Sequence, residues 1–309
     1  MKNIFVNLKR FDVPKAYGGI CQMDDPKAWI RWVIEECVEK GLGKMENVKV
    51  TFLLPESLII TARERLADYP VGETGGINVG CQGVFREDVA LGGNFGAFTT
   101  NRPASAAKAI GCTWVIIGHS EERKDKLDVI ERFEPACRQD ERLWLKAMKA
   151  VNGIIADEVR CSLKVGLNVL LCVGETEEER GHGEFEQQKP RIREVLKTQL
   201  EQSLRFISAN EAQGHMVIGY EPVWAIGPGK VPPDAEYISF VSAYIKSVVE
   251  VMLGFEPPVV YGGGLKEENA AMIAGIDTID GGLVALTRFT GDIAFEPKGL
   301  KAIIDKYIQ

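Results

Sequence analysis

The chain of 309 residues has three histidines, no Cys-x-x-Cys pair among its seven cysteines and no basic stripe. No apolar run is long enough to cross a bilayer, and the first residues read directly as a strand, not as a charged, then apolar, then cleavable leader. An odd cysteine count at irregular spacing argues against a disulfide framework and points to reduced thiols, with Cys81 and Cys172 as core residues. A net charge of -7 and a pI near 5.3 argue against a nucleic-acid surface, which needs clustered Lys and Arg. The expectation is a soluble cytoplasmic protein with no nucleic-acid or membrane partner. An acidic protein still binds a small anion when a few local donors and one or two cations override the overall field.

What is present is ordinary globular material, 45% hydrophobic and 26% charged, enough for a sizeable core. Eight short apolar runs alternate with amphipathic stretches: Ile4 to Val6, Val48 to Leu54, Ile77 to Cys81, Thr113 to Ile117, Asn168 to Val173, Met216 to Tyr220, Pro258 to Tyr261 and Thr278 to Val284. That rhythm implies parallel strands covered by helices. Asp25-Pro26 reads as a helix start that puts Trp29, Trp32, Val33 and Cys37 on one face as core contacts. A longer amphipathic element runs from about Asp140 to Lys164, with Leu143, Ala147, Val151, Ile154 and Ile155 on its stripe. Thr176 to Glu179 is a capping box, and no histidine or aspartate completes a ligand set around it, so no metal and no other cofactor is expected.

One stretch carries chemistry. After the apolar run ending in Ile218, the segment Gly219-Tyr-Glu-Pro-Val-Trp-Ala-Ile-Gly-Pro-Gly-Lys230 sets one carboxylate, Glu221, where a buried strand becomes a glycine-hinged loop. Pro222 stiffens the exit, Val223, Trp224, Ala225 and Ile226 form a rigid flap, and Gly227 and Gly229 bracket Pro228 before Lys230. An isolated Glu-Pro pair would be a solvated turn. A base, an aromatic flap and flanking hinges together read as a base under a lid, where excluded water raises the proton affinity of the carboxylate.

This lid resembles that of the triosephosphate isomerase family, and further matches follow in chain order. Phe5-Val-Asn-Leu-Lys-Arg10 carries Asn7 and Lys9, Trp114 to Arg123 carries Gly118-His119-Ser120-Glu121, and Val169 to Thr176 and Val259 to Gly264 resemble the later strands. The resemblance runs from about residue 3 to residue 306, and it implies that the sheet closes into one (β/α)8 barrel spanning residues 1–309, with insertions in its loops. It also implies a phosphorylated triose substrate, with Glu221 as base, His119 as a neutral donor at a helix start, Lys9 and Asn7 as the cation and amide of the barrel mouth, and Glu121 as an auxiliary carboxylate. Backbone N–H groups at Gly227 and Gly264 would hold phosphate. His182 and His215 have no such context and read as surface residues.

The match fails at named places. Gly264 stands where the family has a serine, and Ala285 and Leu286 replace a glycine pair that approaches the phosphate, with Arg288 nearby as a further donor. Asn101 and Glu122 stand where the family pairs an acid with an arginine across a dimer interface, so a homodimer with an altered interface is expected. The segments from Gln82 to Phe98 and from Arg123 to Leu143 are long and should lie in surface loops or prolong a covering helix. Three functions are open on this reading: a triose phosphate isomerase, an isomerase of a longer ketose phosphate such as a tetrulose (erythrulose) phosphate, and a barrel that binds a phosphorylated metabolite without turnover.

Overall fold

Eight strands form from the eight apolar runs: β1 Lys2–Asn7, β2 Val48–Leu54, β3 Ile77–Cys81, β4 Trp114–Ile117, β5 Asn168–Val173, β6 Met216–Tyr220, β7 Val259–Tyr261 and β8 Gly281–Val284. In the computed structural model, which describes residues 1–227 and 229–309, they pair in parallel in sequence order and close between β1 and β8. The closing register sets Asn3 against Gly281 and Val6 against Val284. Closure leaves no strand edge unpaired and brings every carboxyl end to one rim.

Two apolar layers hold the barrel. Inside it, Phe5, Leu53, Ile116, Leu170, Val260 and Leu283 meet as a plug. Outside, alternate strand residues such as Ile4, Val6, Val50 and Phe52 pack under the helices. The helix Pro26–Glu39 starts where Asp25 accepts a hydrogen bond from the Lys27 amide, and it buries Trp29, Val33 and Cys37 while Trp32 is half-buried on the same core. The helix Glu141–Lys164, capped by Asp140, buries Ala147, Val151 and Ile155, whereas Leu143 and Ile154 reach only half burial.

The long segment after Arg123 prolongs the helix Ser120–Phe133, which then packs Leu127 against Ala147 and Val151. The other long segment carries neither helix nor strand between Cys81 and Ala104; its base is closed by a hydrogen bond from the Phe85 amide to the Arg102 carbonyl at 2.8 Å. All seven cysteines are free and buried. Among the described residues no helix is long and apolar enough to cross a membrane.

β1 extends beyond its apolar run at both ends, and β4 and β7 begin one residue late, at Trp114 and Val259; two larger shifts have a visible cause. The last strand begins at Gly281, not Thr278, because the Thr278 hydroxyl pairs with Ser242 at 2.6 Å and the Asp280 carboxylate caps the Val259 amide at 2.9 Å. The helix after β7 begins at Ala270, not near Lys266, because the Asn269 side chain accepts from the Lys266 amide and donates to the Gly264 carbonyl, closing a turn there.

Candidate active site

The carboxyl ends of β1, β4 and β6 bring Lys9, His119 and Glu221 to one region of the rim. Glu221 follows β6 directly and is 2% exposed. Its Oε2 accepts the Ser120 amide at 2.9 Å, and its Oε1 lies 3.0 Å from His119 Nε2. Burial pushes the Glu221 carboxyl above its usual range, while His119, the Ser120 amide, Arg123 and Lys9 pull it partly back.

His119 is the N-cap of the helix Ser120–Phe133, and its Nδ1 accepts the Glu121 amide at 3.2 Å. A ring nitrogen that accepts from a backbone N–H carries no proton, so in the neutral ring the proton sits on Nε2, the atom that faces Glu221. A helix start thus selects the tautomer. The same helix start favours the negative charge on Glu221 through the Ser120 amide.

Two positions apart in a strand, Asn7 and Lys9 would project from one face, but Lys9 reaches the site by a different route. β1 ends at Asn7, and Lys9 lies beyond the ladder at φ 37°, a left-handed conformation that a non-glycine residue adopts only when its surroundings enforce it. The Asn7 side-chain oxygen accepts the Lys9 amide at 3.1 Å and enforces that turn. Lys9 Nζ then donates to Glu121 Oε1 at 2.6 Å. Burial raises the Glu121 carboxyl, but Lys9 outweighs it and the net shift is downward.

The lid leaves β6 through Pro222 into a 3-10 turn at Val223–Ala225, with Ala225 buried and Ile226 exposed. Gly227 and Gly229 both have positive φ, 124° and 76°, as hinge positions require. Lys230 pairs with Glu177 at 3.2 Å. Pro228 lies outside the described residues.

At the end expected to hold phosphate, Gly264 has φ 92° and open space where a side chain would stand, so its backbone is accessible to a ligand. Ala285 and Leu286 follow β8 as half-buried coil. Arg288 is committed elsewhere: it bridges Ala294, pairs with Glu296 at 2.8 Å and donates to the Asp292 carbonyl, which folds residues 288–294 into a small hairpin. His182 and His215 are exposed, as their sequence context suggests.

Three supporting residues were assigned no role from the sequence. Glu175 Oε1 accepts Tyr220, Trp224 and Tyr237 at 2.9, 2.8 and 2.8 Å, so this buried carboxylate anchors the lid tryptophan. Burial raises it, and the three donors pull it back. Gln82 Nε2 donates to Asn7 Oδ1 at 2.9 Å and to the Leu53 carbonyl at 2.6 Å. Arg123 ties the Gly118 carbonyl at 2.7 Å to the Cys172 carbonyl at 2.9 Å, joining the ends of β4 and β5. Among the described residues no group of three His, Cys, Asp or Glu side chains is placed to hold a metal ion.

A buried carboxylate, a donor imidazole and an ammonium at one mouth can move a proton at carbon while neutralising charge on a neighbouring oxygen. The family model described as triosephosphate isomerase matches residues 31–295. The triosephosphate isomerase of Psychrobacter sp. is 34% identical over 200 residues, covering 63% of this chain and 65% of that protein. The one from Chloroherpeton thalassium is 32% identical over 71% of this chain and 73% of its own length. The one from Oleidesulfovibrio alaskensis is 32% identical over 80% of this chain and 87% of its own length. A crystal structure of triosephosphate isomerase from Bartonella henselae superposes with a TM-score of 0.68 at 21% identity, covering 100% of this chain and 99% of that one, a likeness of fold.

Proposed function

The chain belongs to the triosephosphate isomerase family, and from that premise we propose that it interconverts dihydroxyacetone phosphate and glyceraldehyde 3-phosphate through an enediolate. Glu221 takes a proton from one carbon and returns it to the next. His119 Nε2–H and Lys9 stabilise the oxyanion that develops between the two events, and Asn7 holds the Lys9 turn. The observation that carries this reading is the 3.0 Å approach of His119 Nε2 to Glu221 Oε1. The ring proton now directed at the carboxylate is available to a substrate oxygen once Glu221 turns to the carbon. Backbone N–H groups at Gly227 and Gly264 bind the phosphate, and the protein works as a cytoplasmic homodimer without a cofactor.

The test is turnover of purified protein on both trioses beside Glu221→Gln. Activity on neither triose, or full activity of the variant, sinks the proposal. A catalytically silent phosphometabolite binder would keep affinity in both proteins and turn over in neither.

A second reading rests on residues 285–294, where Ala285, Leu286 and the hairpin closed by Arg288 and Ala294 replace a glycine pair and reshape the phosphate end. It keeps the chemistry and lengthens the ketose to a tetrulose phosphate. Comparing kcat/KM on three-carbon and four-carbon ketose phosphates decides, and a strong triose preference excludes it.

A further inference from the structure

Behind His119 lies a cluster that takes no direct part in the proposed chemistry. The Gly118 amide donates to Glu122 Oε2 at 2.6 Å, and Glu122 Oε1 receives Lys126 Nζ at 2.5 Å. Lys126 also lies 3.1 Å from Oε1 of Glu158, which is 5% exposed. Arg123 holds the other side of Gly118 through its carbonyl. Gly118 itself sits at φ 75°, and an added Cβ would stand 2.8 Å from the Cys172 carbonyl oxygen, so the residue preceding the imidazole has one permitted conformation and is held from both sides.

We propose that Glu122 is a positioning residue for His119: gripped by Lys126, which Glu158 holds in turn, its carboxylate fixes the Gly118 peptide and through it the direction of the imidazole. The proposal rests on reading His119 as the donor to the substrate oxygen.

The cluster has two carboxyls and one ammonium in a largely buried space, close enough for each carboxyl to affect the ionisation of the other. Burial and the neighbouring Glu122 push Glu158 up to about 9, so Glu158 holds the proton. Burial also opposes ionisation of Glu122, but Glu158, Lys126 and the Gly118 amide outweigh it and keep Glu122 ionised. The other charged groups facing the cluster are Arg123 and Asp125 on the same helix and Glu56, Arg86 and Arg102 across the adjoining cavity. Ionising Glu158 adds a second negative charge beside Glu122 and slackens the grip on Gly118. The alkaline decline of kcat should therefore follow Glu158.

Two variants and one resonance test this. Glu122→Gln removes the charged acceptor, and kcat is expected to fall about tenfold with KM within twofold of the parent, the scale of one charge-assisted hydrogen bond. Glu158→Gln removes the ionisable carboxyl at nearly the same size, so kcat at neutral pH is kept and its alkaline decline moves up or vanishes. The Gly118 amide proton of the wild-type protein should titrate with that decline and shift upfield in Glu122→Gln. An unchanged kcat in Glu122→Gln with an unmoved Gly118 resonance overturns the proposal; so does an alkaline limb that survives Glu158→Gln. Should Glu122→Gln fail to fold, the wild-type titration and Glu158→Gln still decide. If the wild-type protein turns over no ketose phosphate, the functional reading fails by itself, while the Gly118 titration continues to report on the clamp.

Discussion

The indole Nε1 of Trp224 donates to Glu175 Oε1 at 2.8 Å, joining the lid after β6 to the carboxyl end of β5. The Arg180 guanidinium lies over the same indole, 3.7 Å from its centroid. A lid tied this way has a defined resting position. Replacing Trp224 by Phe removes the donor while keeping an aromatic ring, and it leaves Glu175 its two tyrosines. A hydrogen bond to a charged group contributes about 1.5–3 kcal/mol, so turnover should change by about tenfold or more with little loss of global stability. Faster amide exchange confined to the lid would confirm the cause, and unchanged exchange would remove it.

The acid limb of activity should lie above the ordinary carboxylate range. In the proposed reaction Glu221 acts ionised, and burial raises its proton affinity, so turnover should be lost as pH falls through that raised value. The stability effect has the opposite sense. A carboxyl whose folded pKa exceeds its unfolded value contributes stability that is complete below the unfolded pKa and disappears as pH rises through the folded one. Glu221→Gln should therefore flatten the fall of the thermal midpoint across that interval, and a parallel curve for both proteins would contradict the assignment.

Lys9 offers a separation of activity from stability. At φ 37° alanine is strained and glycine is not, so Lys9→Gly should be more stable than Lys9→Ala by about 1 kcal/mol. Both lose the ammonium, and both should lose turnover by about 10²-fold or more. Urea denaturation beside steady-state kinetics checks the pair; equal stabilities would mean that the backbone relaxes freely at this position.

Gly174 follows β5 beside the end of β6, and an added Cβ would fall 1.7 Å from the Glu221 carbonyl oxygen. Gly174→Ala must push the two strand ends apart, at a cost of about 3 kcal/mol or more, and it should displace the base. Gly254 is the matched control, with φ 78° and no atom within 4 Å of the added carbon. Its alanine variant should lose about 1 kcal/mol and keep full activity. Equal losses at the two sites would refute the close-approach argument.

The loop between Cys81 and Ala104 presents Val89, Leu91 and Phe95 to solvent. Exposed apolar side chains on an extended loop suit contact with the second copy of the proposed homodimer. The double variant Leu91→Asp, Phe95→Asp should sediment as a monomer where the parent sediments as a dimer. A parent that is already monomeric disposes of the expectation.

Much of this was legible in the sequence where local pattern and global fold agree. β2, β3, β5 and β6 run between the residues that bound their apolar runs, because each is buried and flanked by turn or helix signals. The side chains expected at the mouth do gather there, since Gly-His-Ser-Glu and the lid each set their own strand-to-loop geometry. Glu175 stayed hidden because its partners lie 45, 49 and 62 positions away. Gln82 was equally silent, its contact with Asn7 spanning 75 positions. The turn at Asn269 and the commitment of Arg288 to Glu296 also escaped, for a side chain that satisfies nearby backbone or a loop neighbour looks, in sequence, like one that is free.

The packed plug inside the strands has a kinetic consequence. With Phe5, Leu170 and Leu283 filling the axis, the barrel is a floor and not a pipe, so in the proposed reaction substrate and product must pass through the same doorway. An occupant lodged beneath the flap blocks departure and arrival at once, and a compound that wedges the flap ajar would slow both directions of exchange to the same degree.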